Sequence, residues 1–146
     1  MITWLCKKFD DLTPHELYAI LQLRNEVFVL EQNCIFQDAD DKDQQSFHFM
    51  GWLNKKLIAY TRIVPAGIAS DKVSIGRVAT SPSVRRTGIG KELLERSIEK
   101  TKELFGNVPI IIGAQLYLKK FYESLGFRQS GDIYHEDGIE HIKMIR

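Results

Sequence analysis

Ile75-Gly76-Arg77-Val78-Ala79-Thr80-Ser81-Pro82-Ser83-Val84-Arg85-Arg86-Thr87-Gly88-Ile89-Gly90-Lys91 decides how this chain is read. Val73 to Thr80 is rich in β-formers and ends at Ser81-Pro82-Ser83, which marks a strand running into a turn. From Ile89 onward, apolar residues recur at helical spacing through Leu93, Ile98 and Phe105, with charges between them. The unit is therefore strand, short basic loop, long helix. The first turn of a helix exposes N–H groups that have no internal partner, and the helix dipole favours negative charge there. Here Arg85, Arg86 and Lys91 surround that turn, and the first acid is Glu92. Such crowding of positive charge is unfavourable unless an anion sits among those groups. Gly88 and Gly90 carry no side chain, so an oxygen-rich group can reach the backbone directly. The segment reads as a phosphate or pyrophosphate cradle.

The familiar nucleotide loops do not fit it. Walker A spacing fails, and Glu92 stands where Ser or Thr is required. A dinucleotide fingerprint needs a third glycine, where Leu93 stands.

Working outward, Thr13-Pro14-His15-Glu16 is a complete helix start, and Leu17, Ile20, Leu21, Val27 and Phe28 follow at helical spacing. Arg24 lies on that stripe and reads as a border residue snorkelling outward. The acidic run Asp38-Ala39-Asp40-Asp41-Lys42-Asp43 fails as a calcium loop, because Asp43 and Phe49 replace the required Gly and Glu. It reads as a solvated loop or as a rim attracting a cationic substrate. Residues 3–9 read as an edge strand, Ser46 to Val64 as a hairpin turning at Asn54-Lys55-Lys56, and Val108 to Ile112 as a buried strand. A short helix over Leu116 to Leu125 stops at Gly126, and strands follow around Phe127–Tyr134 and Glu140–Ile145. The expected fold is α+β, with a largely antiparallel central sheet and helices on both faces.

The 146 residues suit a single domain, 1–146. Twenty Lys and Arg against 19 Asp and Glu give a net charge of +1, which argues against coating nucleic acid or a membrane surface. Cys6 and Cys34 form no CxxC pair, and His15, His135 and His141 have no ligand spacing, so neither a disulfide framework nor a metal is implied. No apolar run is long enough for a membrane span or resembles a signal peptide. A cytoplasmic protein is expected.

Leu116-Tyr117-Leu118-Lys119-Lys120-Phe121-Tyr122-Glu123-Ser124-Leu125-Gly126-Phe127 adds a second motif. With Arg85-x-x-Gly88-x-Gly90 upstream, the chain resembles the GNAT superfamily of acyl-CoA-dependent N-acyltransferases. The segment Leu23 to Cys34, the acidic run and His48 are similar to its ElaA-type branch. The resemblance implies acetyl-CoA as cosubstrate and a small-molecule or peptide amine as acceptor, and it accommodates a homodimer. It also implies a pantetheine arm along the main chain of Val78, Ala79 and Thr80, and a pyrophosphate held by Arg85 and by amides from Arg86, Thr87, Gly88, Ile89, Gly90 and Lys91. Tyr122 aligns with the tyrosine that commonly protonates the departing CoA thiolate in this superfamily. Gln115 stands where many members have Asn against the cofactor. The strand before the loop lacks the glutamate that some relatives use as base, so Glu31, His48 or a carboxylate of the acidic run acting through water become the candidate bases. That missing acid also leaves open a non-catalytic acyl-CoA-binding or sensing module.

Overall fold

The computed structural model describes residues 1–146. Its strands are β1 (Thr3–Lys8), β2 (Phe47–Leu53), β3 (Lys56–Val64), β4 (Val73–Thr80), β5 (Ile110–Gln115), β6 (Arg128–Gln129), β7 (Tyr134–Glu136) and β8 (Ile139–Ile145). Its helices are α1 (Pro14–Arg24), α2 (Ile89–Phe105) and α3 (Lys119–Ser124). One sheet runs in the order β1-β2-β3-β4-β5-β8-β6, with β7 also paired to β8. Every pairing is antiparallel except β4 with β5. The expected mixed, largely antiparallel sheet is what forms.

Strand alternation divides the core between two faces. Met50 and Tyr60 point toward α1 and pack with Ile20, Leu23 and Ala79. Phe49, Ile63 and Ile75 point the other way and bury Leu93, Leu94 and Ile98 of α2. Helices therefore cover both faces. No helix is long and apolar enough to cross a membrane.

Local chemistry sets the boundaries. The Thr13 hydroxyl accepts from the Glu16 amide at 3.1 Å, and the Glu16 carboxylate accepts from the Thr13 amide at 2.8 Å. This reciprocal capping box starts α1 where the sequence places it. Beyond Arg24, residues Asn25–Leu30 wind as a π-helical turn, a distortion that often marks functional sites. The β2–β3 turn is one residue tighter than expected. Asn54 and Lys55 both take positive φ (50° and 65°), a two-residue turn that matches strand twist, so Lys56 already belongs to β3. Pro109 has no N–H to give to a ladder, and β5 starts after it at Ile110 rather than at Val108. The strand expected over Phe127–Tyr134 splits into β6 and β7 around Gly131, whose φ is 92°.

Candidate active site

The site is made by two strands that part. β4 and β5 pair only at Val73 with Ile110 and Ser74 with Ile111. On its other edge β4 is bulged: Ala79 faces Tyr60 and Gly76 faces Arg62, so Arg77 and Val78 together oppose Thr61. Arg77 takes a φ of 49° there. Bulges bend a strand and increase its twist, and here the bulge lies where β4 leaves β5. The cleft between them measures about 500 Å³. Ile75 to Val78 and Thr80 form one wall and Ile112 to Gln115 the other, with Val27 and Phe28 reaching in from the π-helical turn.

At one end of the cleft lies the loop before α2. Gly88 is the N-cap at φ 87° and supplies no side chain to the helix end. In the hydrogen bonds of turns, loops and caps, no main-chain amide from Arg86 to Lys91 is a donor. A Cβ at Gly88 or Gly90 would meet nothing within 4 Å, so the backbone faces open space. Arg85 and Gly90 line the cleft, while Arg86, Thr87 and Lys91 are exposed around the loop. These features fit an anionic pyrophosphate, with free amides, the positive end of a 17-residue helix and basic side chains converging on it. Val78 and Thr80 line the cleft, but the Ala79 side chain turns away into the α1-facing core.

Tyr122 lines the cleft from α3 and is 6% exposed. Phe121 and Phe127 hold its ring edge-on at centroid distances of 5.2 and 5.9 Å. Burial pushes the phenol up to about 12, so it keeps its proton at neutral pH. Gln115 lines the same cleft at the end of β5.

The candidate bases fare differently. Glu31 lines the cleft, but both of its oxygens accept from Arg85, at 2.5 and 2.7 Å. That pairing holds its carboxyl below the usual range, which weakens it as a base. His48 does not line the cleft. It is fully buried, its Nε2 donates to the Asp43 carbonyl at 2.9 Å, and its Nδ1 accepts from the Tyr60 hydroxyl at 2.7 Å. With no lone pair free, it is a structural histidine, and the expectation of a catalytic role is corrected.

The acidic run is neither a solvated loop nor an amine-attracting rim. Arg24 meets Asp38 and Asp43, each at 2.7 Å. Arg62 meets Asp40 at 2.7 Å and Asp43 at 2.8 Å, and Arg77 meets Asp38 at 2.7 Å. Three arginines neutralise three aspartates, and Arg24, expected to snorkel, is fully buried. Thus Asp38, Asp40 and Asp43 brace the site from behind.

His141, set aside for want of ligand spacing, is a cleft residue. On β8 it lies directly opposite Gln115 of β5, a pairing that only the sheet register reveals. Glu136 and Asp137, at the β7–β8 turn, join it on the wall.

Residues 14–146 match the family described as acetyltransferase (GNAT) domain, and the chain belongs to that family. Within it, the chain is similar to protein ElaA of Escherichia coli strain K12, at 40% identity over 148 residues, covering 100% of this chain and 97% of the relative. It superposes on an acyl-CoA N-acyltransferase from Pseudomonas aeruginosa with a TM-score of 0.97 at 40% identity, covering 100% and 99% of the two chains. The crystal structure of E. coli ElaA gives a TM-score of 0.95 at 40% identity, again covering 100% and 99%. A GNAT acetyltransferase from Elizabethkingia anophelis, solved with acetyl-CoA bound, shares the fold alone, with a TM-score of 0.63 at 21% identity over 99% and 94% of the chains.

Proposed function

We propose that this chain is an N-acetyltransferase that moves acetyl from acetyl-CoA directly to a primary amine. The observation that carries the reading is one cleft with a free-amide anion cradle at one end and a protonated, buried tyrosine in its wall. The thioester supplies the activated acyl group.

The parted edge of β4 offers main-chain groups of Val78 and Thr80 to an extended amide arm, as an added strand would use them. The amides from Arg86 to Lys91 take the pyrophosphate. Gln115 presents a side-chain amide to the arm from the facing strand. Tyr122 donates a hydrogen bond where negative charge gathers on the leaving sulfur. A thiol ordinarily titrates near 8.5, so a phenol at about 12 stabilises the thiolate chiefly by that hydrogen bond rather than by surrendering its proton.

Tyr122→Phe tests the reading, with free thiol followed against an amine panel. General acid and hydrogen-bond donors of this kind contribute roughly 10²–10⁴-fold. The variant should lose rate on that scale and keep its affinity for CoA. Tight CoA binding without thiol release by the unaltered protein, whatever the amine, would leave the non-catalytic binding module as the reading.

A further inference from the structure

We propose that His141 is the general base of the reaction, and that Glu136 and Asp137 select an acceptor whose amine is cationic in water. The inference rests on the acetyltransferase reading above and names the side of the cleft from which the acceptor enters.

The tautomer follows from one hydrogen bond. His141 Nδ1 lies 2.8 Å from the Ile139 carbonyl oxygen, which can only accept. Nδ1 therefore carries the hydrogen, and in the neutral ring Nε2 holds the lone pair. Nε2 lies 3.8 Å from Glu136, a carboxylate that stabilises the imidazolium once a proton arrives. The ring is 9% exposed and locked in place. It stacks on Tyr134 at 5.7 Å and 28°, and the Tyr134 hydroxyl rests against β5, where a Cβ at Gly113 would come within 2.9 Å of it. A fixed ring, a lone pair of defined position and a carboxylate beside that same nitrogen suit proton abstraction from a cationic amine.

Charge supports the acceptor class. Of the carboxylates along the cleft, Glu31 is neutralised by Arg85, whereas Asp137 has no cationic partner and Glu136 has only His141. The titratable groups around the ring are Tyr134, Glu136 and Asp137 on its own hairpin. Tyr117, Tyr122, Arg77 and the Glu31–Arg85 pair line the same cleft, and Cys34, its thiol pushed up by desolvation, lies near enough to Asp137 for that carboxylate to raise it further.

The step balances. The ammonium gives one proton to His141 Nε2, and the freed amine attacks the thioester carbonyl. A C–N bond forms, the C–S bond breaks, and the nitrogen loses a second proton as the thiolate gains one. His141 returns its proton to solvent past Glu136, so each turnover releases one proton.

His141→Asn should lower kcat/KM about 10²–10⁴-fold for alkyl amines at pH 7. It should act far more weakly on an O-alkylhydroxylamine, which is already neutral and needs no base. Glu136→Gln, at the exposed hairpin tip, should raise KM and lower kcat for the cationic amine, because the imidazolium loses its carboxylate, and should act far more weakly on the neutral amine. Equal losses for both amine types in His141→Asn, or wild-type rates, would overturn the assignment while the acetyltransferase reading stands. No thiol release by the unaltered protein with any amine would overturn both.

Discussion

Asp43→Asn is the sharpest test of what supports the site. Asp43 accepts from Arg24 at 2.7 Å and from Arg62 at 2.8 Å, and these arginines are 0% and 4% exposed. In the native chain, the charges of Arg24, Arg62 and Arg77 cancel those of Asp38, Asp40 and Asp43. Asparagine keeps the shape and one accepting oxygen but leaves an uncompensated positive charge with no water to screen it. Removing one partner of a buried ion pair costs about 3–5 kcal/mol. The retained oxygen argues for the lower end, about 3 kcal/mol, a large share of the roughly 5–15 kcal/mol that holds a domain together. With a urea m-value near 2 kcal/mol per molar, the midpoint should fall by about 1.5 M. The same loss lowers Tm by about 10 °C. Urea melts followed by far-UV circular dichroism measure this directly. Asp71→Asn serves as the control, because Asp71 is exposed and meets Lys72 at only 3.5 Å, and such surface changes stay within about 0.5 kcal/mol. If Asp43→Asn shifts the midpoint no further than Asp71→Asn, the network is not what holds Arg24 and Arg62 in the core.

Two further outcomes follow from the same geometry. Burial pushes the Asp43 carboxyl up, but hydrogen bonds from Arg24 and Arg62 outweigh it and hold the carboxyl below its ordinary value; Asp40 is depressed likewise by Arg62 against its own burial. A depressed carboxyl stabilises the fold fully above its unfolded value, about 3.9, and that stability is lost as pH falls through the folded values. The gap between wild type and Asp43→Asn should thus be constant from pH 7 to 5 and shrink below about pH 4, which urea melts at each pH would show. Gly90→Ala separates binding from folding. Gly90 has helical backbone and open space around it, so alanine should leave stability unchanged or raise it by up to about 1 kcal/mol. Calorimetric titration with CoA should nevertheless show weaker binding, and unchanged affinity would count against the cradle.

Much of the framework was legible in one dimension because its causes are local. The capping box of α1, the strand–loop–helix around Gly88 and the stop at Gly126 each depend on neighbours within a few residues. Where a boundary shifted, as at Ile110 or Lys56, the cause was again local: a proline without an N–H, or a turn one residue tighter. The glycine loop was found in this way, whereas Gln115 and Tyr122 came from the resemblance to the GNAT superfamily; all of them border the cleft or its mouth.

Pairings across the chain were not legible. Asp38 to Asp43 looks like a solvated loop because its neutralising arginines lie 14 to 39 residues away, and only folding brings them together. His48 and His141 are equivalent as letters. The fold buries one between a phenol and a carbonyl, and sets the other beside Gln115 with its lone pair free. The sequence by itself determined the elements, their order and an anion cradle, because helix ends and glycines act locally. Only the tertiary structure decided which charges cancel and which histidine faces the cleft, because burial and long-range register do not exist until the sheet has closed.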